Sequence, residues 1–329
     1  MPSFGFVSAL LVFWQSVVSF IESYFAPTSK FSVNDIPDLT GRVVIVTGGN
    51  TGIGKETVKA LLCKNAKVYL AARSEDRAKA AIEDLKQTTG KEAIFLKLDL
   101  SSLKSVKTAA EDFLKNESEL HILFNNAGVM WPPSDQLTVD GYDMTWGTNV
   151  LGPFYFTKLL LPALFKASVP ENKSRVVNTS SAGSIAGLSY SGSGLNFATF
   201  KDSPVRRKYG TQVLYTQSKL GNVVFAQEFA RRFGDKIIST ALHPGVIRSE
   251  LARTVADLEG PRLQFFARLV LYPTSQGALT QLWAGTSPEG ADLNGEYLVP
   301  WARVGKPRSN DPSLGKELWN WLEEQVANT

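Results

Sequence analysis

The sequence contains very little cysteine and histidine: its 329 residues include one cysteine, Cys63, and two histidines, His121 and His243. A single cysteine excludes an intrachain disulfide and any zinc site built from several cysteines. The two histidines lie too far apart in the chain to indicate a metal cluster. We therefore expect chemistry that depends on neither a disulfide nor a metal ion.

The sequence also lacks a strong charge imbalance. Its 35 lysines and arginines stand against 31 aspartates and glutamates, a formal net charge of +4, and no basic run stands out. Such a balance does not indicate a nucleic-acid-binding protein. A hydrophobic content of 43% and a charged content of 20% are typical of a packed globular protein, which excludes wholesale disorder and low-complexity fibres.

Charge is absent altogether from the stretch Phe4–Ile21. Its length reaches the lower end of the ~17–25 residues that a membrane-spanning helix needs. It lacks the basic start of a secretory signal, and its few polar residues share one helical face. For residues 1–25 three interpretations stay open: a helix lying in a membrane interface, a spanning helix, or a helix packed on the protein itself. Residues 26–40 contain two prolines and are predicted to be a linker.

From Gly41 onward, short runs rich in valine and isoleucine alternate with amphipathic segments. The predicted strands cover residues 42–48, 67–73, 93–99, 120–128, 175–181, 236–245 and 295–300. The predicted helices cover residues 52–64, 75–89, 102–116, 141–167 and 211–233, and Pro153 and Pro162 kink or delimit the fourth. This alternation predicts an α/β fold, a single doubly wound parallel sheet of Rossmann type with about seven strands and helices on both faces.

The first predicted strand ends in a glycine-rich turn, TGGNTGIG at residues 47–54, which opens a helix. Glycines at positions 48, 52 and 54 permit a tight turn and a close approach of the backbone to a diphosphate. The helix then presents free N–H groups and a positive dipole end to that group. Because the pattern lies between a strand and a helix of a βαβ unit, it predicts a dinucleotide-binding site.

The end of the second predicted strand carries Arg73, where an NAD site would carry an acidic residue. An arginine accommodates a 2′-phosphate, which favours NADP(H). Because Glu75 and Asp76 follow closely, an exposed arginine at a helix start is the other interpretation. Asp99 and Asn126 follow the third and fourth predicted strands at the same sheet edge, where such residues contact the cofactor or brace the strand ends.

Tyr215 and Lys219 are four residues apart at the start of a predicted helix, so their side chains share one face. A nearby ammonium is expected to lower the tyrosine pKa from its ordinary value near ~10. The pair is suited to exchanging a proton with a carbonyl or an alcohol, although a surface tyrosine–lysine pair is the alternative. Ser181 ends the fifth predicted strand and is expected to donate a hydrogen bond to the substrate oxygen. His243 precedes Pro-Gly and is predicted to brace a turn, which disfavours a hydrolase triad.

In this order, the motifs resemble those of the short-chain dehydrogenase/reductase family over about residues 40–300. The matching motifs are TGGNTGIG (47–54), NNAG (125–128), Asn149 in GTNVLGPF, Ser181 in VVNTSSAG, YTQSK (215–219) and HPG (243–245). Within the family, GNTGIGKET, NNAGVM and HPGVIRSEL are similar to the retinol-dehydrogenase-like branch. Residues 131–164 are similar to filamentous-fungal members.

The resemblance implies a catalytic tetrad. Tyr215 is then the general acid/base, and Lys219 lowers its pKa, holds the nicotinamide ribose and passes protons onward. Ser181 positions the substrate carbonyl, with Ser180 as a neighbouring candidate, and Asn149 holds a water of the proton relay. The implied cofactor contacts are Gly48, Asn50, Gly52, Ile53, Gly54, Arg73, Asp99, Asn126, Tyr215, Lys219 and Val246, and no metal is implied.

Two features depart from the family pattern. Tyr215 stands 34 positions after Ser181, which predicts an inserted substrate loop over residues 182–210. The apolar N-terminal segment resembles the membrane anchors of microsomal members and implies a lipophilic substrate. Side chains expected in the substrate pocket, with ordinary core packing as the other interpretation, are Phe197, Phe200, Leu263, Phe265, Phe266 and Leu269.

The predicted organisation is an apolar segment (1–25), a linker (26–40), a catalytic domain (41–300) and a tail (301–329). The amphipathic helix predicted at 312–326 caps the core, joins a subunit interface or touches a membrane. A homo-oligomer is common in the family, and no nucleic-acid partner is expected. The expected location is a membrane surface of the endoplasmic reticulum or a lipid droplet, with a cytosolic catalytic domain, or else the soluble cytoplasm.

The predicted function is an NADP(H)-dependent oxidoreductase that interconverts a carbonyl and an alcohol on a lipophilic small molecule, acting as a reductase. The candidate substrates are of retinoid, steroid, fatty or secondary-metabolite type. Two alternatives on the same fold are a catalytically silent NADP-binding scaffold and a C=C reductase similar to protochlorophyllide oxidoreductase.

Overall fold

The computed structural model describes residues 26–184, 194–248, 271–306 and 311–329. The predicted membrane anchor lies outside these ranges, as do four of the predicted pocket residues, Leu263, Phe265, Phe266 and Leu269. Within the described ranges, no single helix is long and apolar enough to cross a bilayer, and the bent pair Met144–Leu159 and Leu161–Ala167 meets that test only when both halves are counted.

Eight strands form one sheet, in the order β3-β2-β1-β4-β5-β6-β7-β8. The strands are β1 Val43–Thr47, β2 Lys67–Ala72, β3 Ile94–Lys97, β4 Ile122–Asn125, β5 Ser174–Thr179, β6 Ile237–Leu242, β7 Tyr297–Val299 and β8 Arg303–Val304. All neighbours pair in parallel except β7 and β8. The predicted fold class is confirmed, but the sheet has eight strands rather than about seven. A two-residue strand such as β8 is too short to show any periodicity in the sequence.

Helices cover both faces of this sheet. They are α1 Gly52–Cys63, α2 Glu75–Thr89, α3 Leu103–Asn116, α4 Met144–Leu159, α5 Leu161–Ala167, α6 Thr211–Phe233, α7 Thr274–Gly277, α8 Leu279–Thr286 and α9 Pro312–Val326. The helix predicted over 141–167 is thus two helices, α4 and α5, bent by 58° relative to each other. Pro162 lies in the first turn of α5, where a missing N–H does no harm. Within α4, residues Gly147–Leu151 are π-helical.

Three apolar clusters are buried among the described residues, and the two large ones lie on opposite faces of the sheet. The first joins α3, α4 and α6, and α9 covers it with Leu318 and Trp319 among other buried side chains. Of the three interpretations of the C-terminal helix, this packing corresponds to a cap on the core. The second cluster includes Phe31, Ile36 and Leu39, so the segment expected to be a linker packs on the domain.

The second half of the predicted substrate loop, residues 194–210, is also packed. Phe200 is fully buried and stacks on Trp146 of α4, with ring centroids 3.4 Å apart. Phe197 packs at the edge of the same cluster. Of the two interpretations of these phenylalanines, the structure supports ordinary core packing, and neither is among the described residues that line the cleft. The Gln217 side chain of α6 holds this segment by hydrogen bonds to two of its residues, each 2.7 Å long.

Candidate active site

A cleft of about 770 Å³ runs along the carboxyl edge of the parallel strands. It extends from the end of β2 over the ends of β1 and β4 to the start of α6. The strand order reverses between β1 and β4, so the connections leave to opposite faces and a crevice opens at this edge. The topology therefore places the candidate site here.

The glycine-rich turn after β1 forms one wall of the cleft. Gly48 and Gly52 have φ angles of +68° and +55°, in the left-handed region that residues with a side chain rarely adopt. A Cβ on Gly54 would lie 2.3 Å from the Gly48 carbonyl oxygen, so only hydrogen fits there. No side chain caps the start of α1 at Thr51, which leaves the first N–H groups of the helix available to an anion. The turn thus fits the diphosphate of a dinucleotide.

Asn126 and Asp99 line the cleft, and both also brace the strand ends. The Asn126 Nδ2 donates to the Thr47 carbonyl at 2.9 Å, and the Thr47 Oγ1 accepts the backbone N–H groups of Asn126 and Ala127, each at 3.0 Å. The Asp99 Oδ1 accepts from the N–H and the hydroxyl of Ser101, at 3.0 and 2.7 Å. The floor of the cleft is therefore fixed by hydrogen bonds among its own residues.

Two arginines stand at the β2 end of the cleft, Arg73 just after β2 and Arg77 in the first turn of α2. In the sequence, the nearby Glu75 allowed a second interpretation of Arg73. In the structure, the Glu75 carboxylate pairs with Lys79 at 2.7 Å. Neither Glu75 nor Asp76 is among the described residues that line the cleft. Sequence reasoning missed Arg77, although its place in the first turn of the helix that follows Arg73 was a signal. Two guanidinium groups at this position suit a phosphate group.

Ser181, Tyr215 and Lys219 meet at the other end of the same cleft. The Ser181 side chain hydrogen-bonds to the Tyr215 hydroxyl. The Lys219 Nζ lies 5.9 Å from the centroid of the Tyr215 ring and donates to the Thr179 carbonyl at 2.9 Å. Residues from the end of β5 and the start of α6 are thus brought together, because both elements end or begin at this sheet edge.

The protonation of this group is governed by burial. Burial raises the pKa of the Tyr215 hydroxyl, and the hydrogen bond from Ser181 opposes the rise only in part. Burial also lowers the pKa of the Lys219 ammonium to about 8. The predicted lowering of the Tyr215 pKa is not seen in this arrangement: the pKa of its hydroxyl lies above the ordinary value, and Lys219, whose ammonium donates to the Thr179 carbonyl, is not among the causes of the shift.

The two adjacent serines differ in their orientation. The Ser180 hydroxyl is buried and donates to the Lys219 carbonyl at 2.6 Å. The Ser181 hydroxyl accepts the Gly183 N–H at 3.1 Å and remains at the cleft beside Tyr215. Of the two candidates, Ser181 is therefore the one placed to meet a substrate.

Asn149 lies in the π-helical turn of α4, fully buried behind the cleft. Its Oδ1 accepts the Val129 N–H at 2.8 Å, and its Nδ2 donates to the Val129 carbonyl and to the Ser218 Oγ, each at 3.0 Å. The side chain thus fixes the backbone that follows β4. Val246 is not among the described residues that line the cleft, whereas its neighbour Ile247 is.

The segment 129–136, here called the wall segment, closes the cleft near Tyr215 and was missed by sequence reasoning. Its lining residues are Val129, Met130, Trp131, Pro132, Pro133 and Gln136. Arg206 holds it from behind: its Nη2 donates to the Ser134 and Gln136 carbonyls at 2.7 and 2.9 Å, and its Nε donates to Asp143 at 2.9 Å. Because Arg206 and Asp143 are far apart in the chain, no local sequence motif predicts this ion pair.

His243 accepts the Gly245 N–H on its Nδ1 at 3.2 Å, which confirms its predicted role in bracing the turn after β6. Across the part of the chain that the structure describes, no group of three or more histidine, cysteine or acidic side chains is placed to hold a metal ion.

Comparison with known proteins agrees with this geometry. The family model described as short chain dehydrogenase matches residues 42–197. A short-chain dehydrogenase/reductase from Armillaria gallica is 58% identical over 313 residues, covering 94% of this chain and 98% of the relative. Human retinol dehydrogenase 12 is 36% identical over 319 residues, covering 96% and 95%. The solved structure of the Pseudomonas aeruginosa RhlG/NADP active-site complex, 24% identical, shares the fold with a TM-score of 0.64, covering 80% and 96%.

Proposed function

This chain belongs to the short-chain dehydrogenase/reductase family, and we propose that it uses NADPH to reduce a carbonyl group on a lipophilic small molecule. Membership makes the protein an oxidoreductase that acts on CH–OH groups with a nucleotide cofactor. The observation that carries the finer proposal is the arrangement of the cleft. Ser181, Tyr215 and Lys219 lie at one end, and Arg73 and Arg77 lie at the other.

The residues of the cleft fit NADP(H). The turn at residues 48–54 would hold the diphosphate against the start of α1. Arg73 and Arg77 would hold a 2′-phosphate, which NADP carries and NAD lacks. Asp99 and Asn126 stand between these two points. When bound, the nicotinamide supplies the hydride to the substrate carbon or accepts it.

Tyr215 is the group that moves the proton. Ser181 donates a hydrogen bond to the substrate oxygen, which stabilises the negative charge that develops there. The Tyr215 hydroxyl gives its proton to that oxygen on reduction and recovers a proton afterwards. At its ordinary pKa near ~10 a tyrosine is already protonated at neutral pH, the state that a reductase needs, and burial raises the pKa of Tyr215 further. Lys219, with a pKa of about 8, exchanges protons close to the working pH.

The lipophilic substrate is supported by the apolar side chains that line the cleft. They are Met130, Trp131, Pro132, Pro133 and Ile247. Retinoid, steroid, fatty and secondary-metabolite carbonyl compounds all suit such a lining. We extend the proposal to residues 1–25 as an anchor that holds a cytosolic catalytic domain at a membrane surface, where such substrates are concentrated.

The test is a titration of the full-length protein, in detergent, with NADPH and NADH, followed by turnover of a panel of apolar aldehydes and ketones. We expect tighter binding of NADPH and its oxidation by at least one panel member. Tyr215→Phe should abolish turnover and leave the NADPH Kd unchanged. The matched control is Tyr209→Phe, which removes a hydroxyl bonded to Asn196 and absent from the lining of the cleft. NADPH binding without turnover of any compound would favour the silent scaffold.

A further inference from the structure

Gln281 is a fully buried amide in an otherwise apolar part of the core. It lies in α8, and its side chain has an exposed fraction of 0%. Its neighbours in the helices that meet here, Ala278, Leu282 and Val58, belong to the second apolar cluster. Burying an amide in such surroundings is unfavourable, and an apolar side chain of similar size would serve stability about as well. Packing alone therefore does not explain an amide at this position.

Both ends of the Gln281 amide are hydrogen-bonded. Its Oε1 accepts the Thr179 hydroxyl at 3.0 Å, and its Nε2 donates to the Thr57 hydroxyl oxygen. The Thr57 hydroxyl in turn donates to the Ile53 carbonyl at 2.8 Å. Because a carbonyl only accepts, this last bond fixes the direction of the other two. Thr179, Gln281 and Thr57 thus form a continuous chain of hydrogen bonds from β5 to α1, here called the buried link.

One end of the buried link lies at the turn that would hold the cofactor diphosphate. Ile53, whose carbonyl accepts from Thr57, is the second residue of α1 and lines the cleft. Gly277 of α7 packs on the same residue, since a Cβ on Gly277 would lie 3.1 Å from the Ile53 Cγ1. Gly277 and Gln281 therefore meet Ile53 and Thr57, a spacing of four on both sides. The start of α1 is thus fixed at two successive points.

The other end of the buried link lies at Lys219. Thr179 is the last residue of β5, and its carbonyl accepts the Lys219 Nζ at 2.9 Å and the Asn222 Nδ2 at 3.3 Å. The side chain of the same threonine donates to Gln281. The residue that holds the lysine is therefore itself held by the buried amide. Through this amide, the diphosphate turn and the lysine are connected behind the cleft.

We propose that Gln281 is a positioning residue that fixes the start of α1 relative to Lys219. The inference rests on the proposed function, because it assigns the buried link to cofactor binding and proton exchange. Neither Gln281 nor Thr57 is among the described residues that line the cleft, so both act through the residues that they hold. Loss of the link should weaken NADPH binding at the turn and slow the reaction at Lys219.

The first test is Gln281→Met, which keeps the length of the side chain and removes both hydrogen bonds. We expect the Kd for NADPH to rise and kcat at saturating NADPH to fall, each by about 3- to 30-fold. The KM for a panel ketone that the wild type reduces should stay constant. Thr280→Val is the matched control: the neighbouring buried hydroxyl accepts the Ala302 N–H at 3.2 Å, outside the link. It should change none of these quantities.

The second test separates the hydrogen bonds of the buried link from packing. Thr57→Val keeps the shape of the side chain and breaks the link, so it should reproduce both effects of Gln281→Met. Thr57→Ser keeps the hydroxyl and should behave like the wild type. The double variant Thr57→Val and Gln281→Met should be no worse than either single variant, since both break the same link. If Thr57→Ser fails as Thr57→Val does, shape matters and the inference is overturned.

Fluorescence titration gives the Kd without any turnover. If the wild type reduces no ketone of the panel, the proposed function is contradicted, while the Kd values for NADPH and NADH still decide the role of Gln281. Urea denaturation is measured alongside, because a purely structural amide would change stability alone. A wild-type Kd, or a wild-type kcat at saturating NADPH, in folded Gln281→Met and Thr57→Val overturns the inference.

Discussion

Single residues of the site are held in states that burial makes unfavourable. Lys219 is the clearest case, because its amine is buried and its pKa falls to about 8. An unfolded chain keeps a lysine pKa near ~10.4, so between these two values the unfolded state binds more protons than the folded state. The free energy of unfolding therefore rises with pH across this window. Below pH ~8 Lys219 is protonated in both states, so the destabilisation caused by burying its charge has its full value and no longer changes with pH.

Replacing this lysine should make the protein more stable and inactive. We expect Lys219→Met to raise the free energy of unfolding at pH 7 by on the order of 1–3 kcal/mol and to remove its rise between about pH 8 and 10. Urea denaturation at several pH values measures both. The exposed Lys208→Met is the control and should change neither quantity. A less stable Lys219→Met, or an unaltered pH slope, would contradict the pKa assigned to Lys219.

We expect the choice between NADPH and NADH to depend on two residues, Arg73 and Arg77. Removing both guanidinium groups with Arg73→Ala and Arg77→Ala should reduce the preference for NADPH by about 10- to 100-fold, since two charge-assisted contacts are lost. Each single variant should lose part of it. The ratio of the two Kd values measures this effect. Lys79→Ala removes one positive charge from the same helix outside the cleft and should leave the ratio unchanged. If the double variant also keeps its ratio, the 2′-phosphate is bound elsewhere.

Sequence patterns located most of this site, because the topology brings the ends of parallel strands to one edge. That principle alone places Arg73 and Ser181 on the cleft that Tyr215 enters from α6. The direction of the Tyr215 pKa shift could not be read in the same way, since it depends on burial by distant parts of the chain. The wall segment was missed for the same reason: its position on the cleft depends on Arg206 and Asp143, which are distant from each other in the chain.

At the scale of elements, the wall segment, the start of α4 and the segment before α6 are joined by one buried ion pair. Asp143 caps α4 by accepting the N–H groups of Thr145 and Trp146, and Arg206 binds both Asp143 and the wall segment. Burial raises the pKa of Asp143, which Arg206 and the backbone donors oppose. The pair thus couples the shape of the cleft to the position of α4.

Breaking that pair should affect substrate binding and stability together. Arg206→Met leaves the Asp143 charge buried and unpaired, so we expect the free energy of unfolding to fall by about 3–5 kcal/mol. The KM for a ketone should rise, while the Kd for NADPH stays constant. Steady-state kinetics and urea denaturation report the two effects. The neighbouring Arg207→Met, an exposed arginine paired with Asp202, is the matched control. If the Arg206→Met protein is folded and its KM for the ketone is unchanged, the ion pair does not determine the shape of the cleft.

Element boundaries were predictable where periodicity is long. The helix predicted over 211–233 agrees with α6 at both ends, and the one over 75–89 agrees with α2. For residues 141–167 the sequence predicted a helix that prolines kink or delimit. It did not predict the π-helical turn or the 58° bend between the two helices. Local sequence marks where a helix is interrupted, whereas the bend is determined by the packing of both halves on the sheet.

For the molecule as a whole, the C-terminal helix completes the core. Trp319 of α9 is buried against Phe154 and Phe225, with ring centroids 5.2 and 6.3 Å away, and the Arg232 guanidinium lies 4.6 Å from its ring centroid. The α/β class followed from the alternation of strands and helices. The position of α9 on the core could not be predicted in this way. An amphipathic pattern predicts that one face of a helix is covered, but it does not identify the surface that covers it.

Truncating this side chain should destabilise the entire domain. We expect Trp319→Ala to lower the free energy of unfolding by about 3–5 kcal/mol, the usual effect of removing a buried tryptophan from a core. The adjacent Asn320 is exposed, and Asn320→Ala should stay within about 0.5 kcal/mol of wild type. Calorimetry of both variants measures the difference. Equal melting temperatures would show that α9 is an appendage of the fold.

The position of α9 in the chain has a consequence for biosynthesis. A ribosome makes the protein from its N-terminus, so all eight strands and the aromatic faces of α4 and α6 emerge before the helix that covers them. The nascent domain therefore leaves Phe154 and Phe225 uncovered until α9 has been made and has packed on them. This interval is when a chaperone would be needed most, and a stop codon before residue 312 would make it permanent.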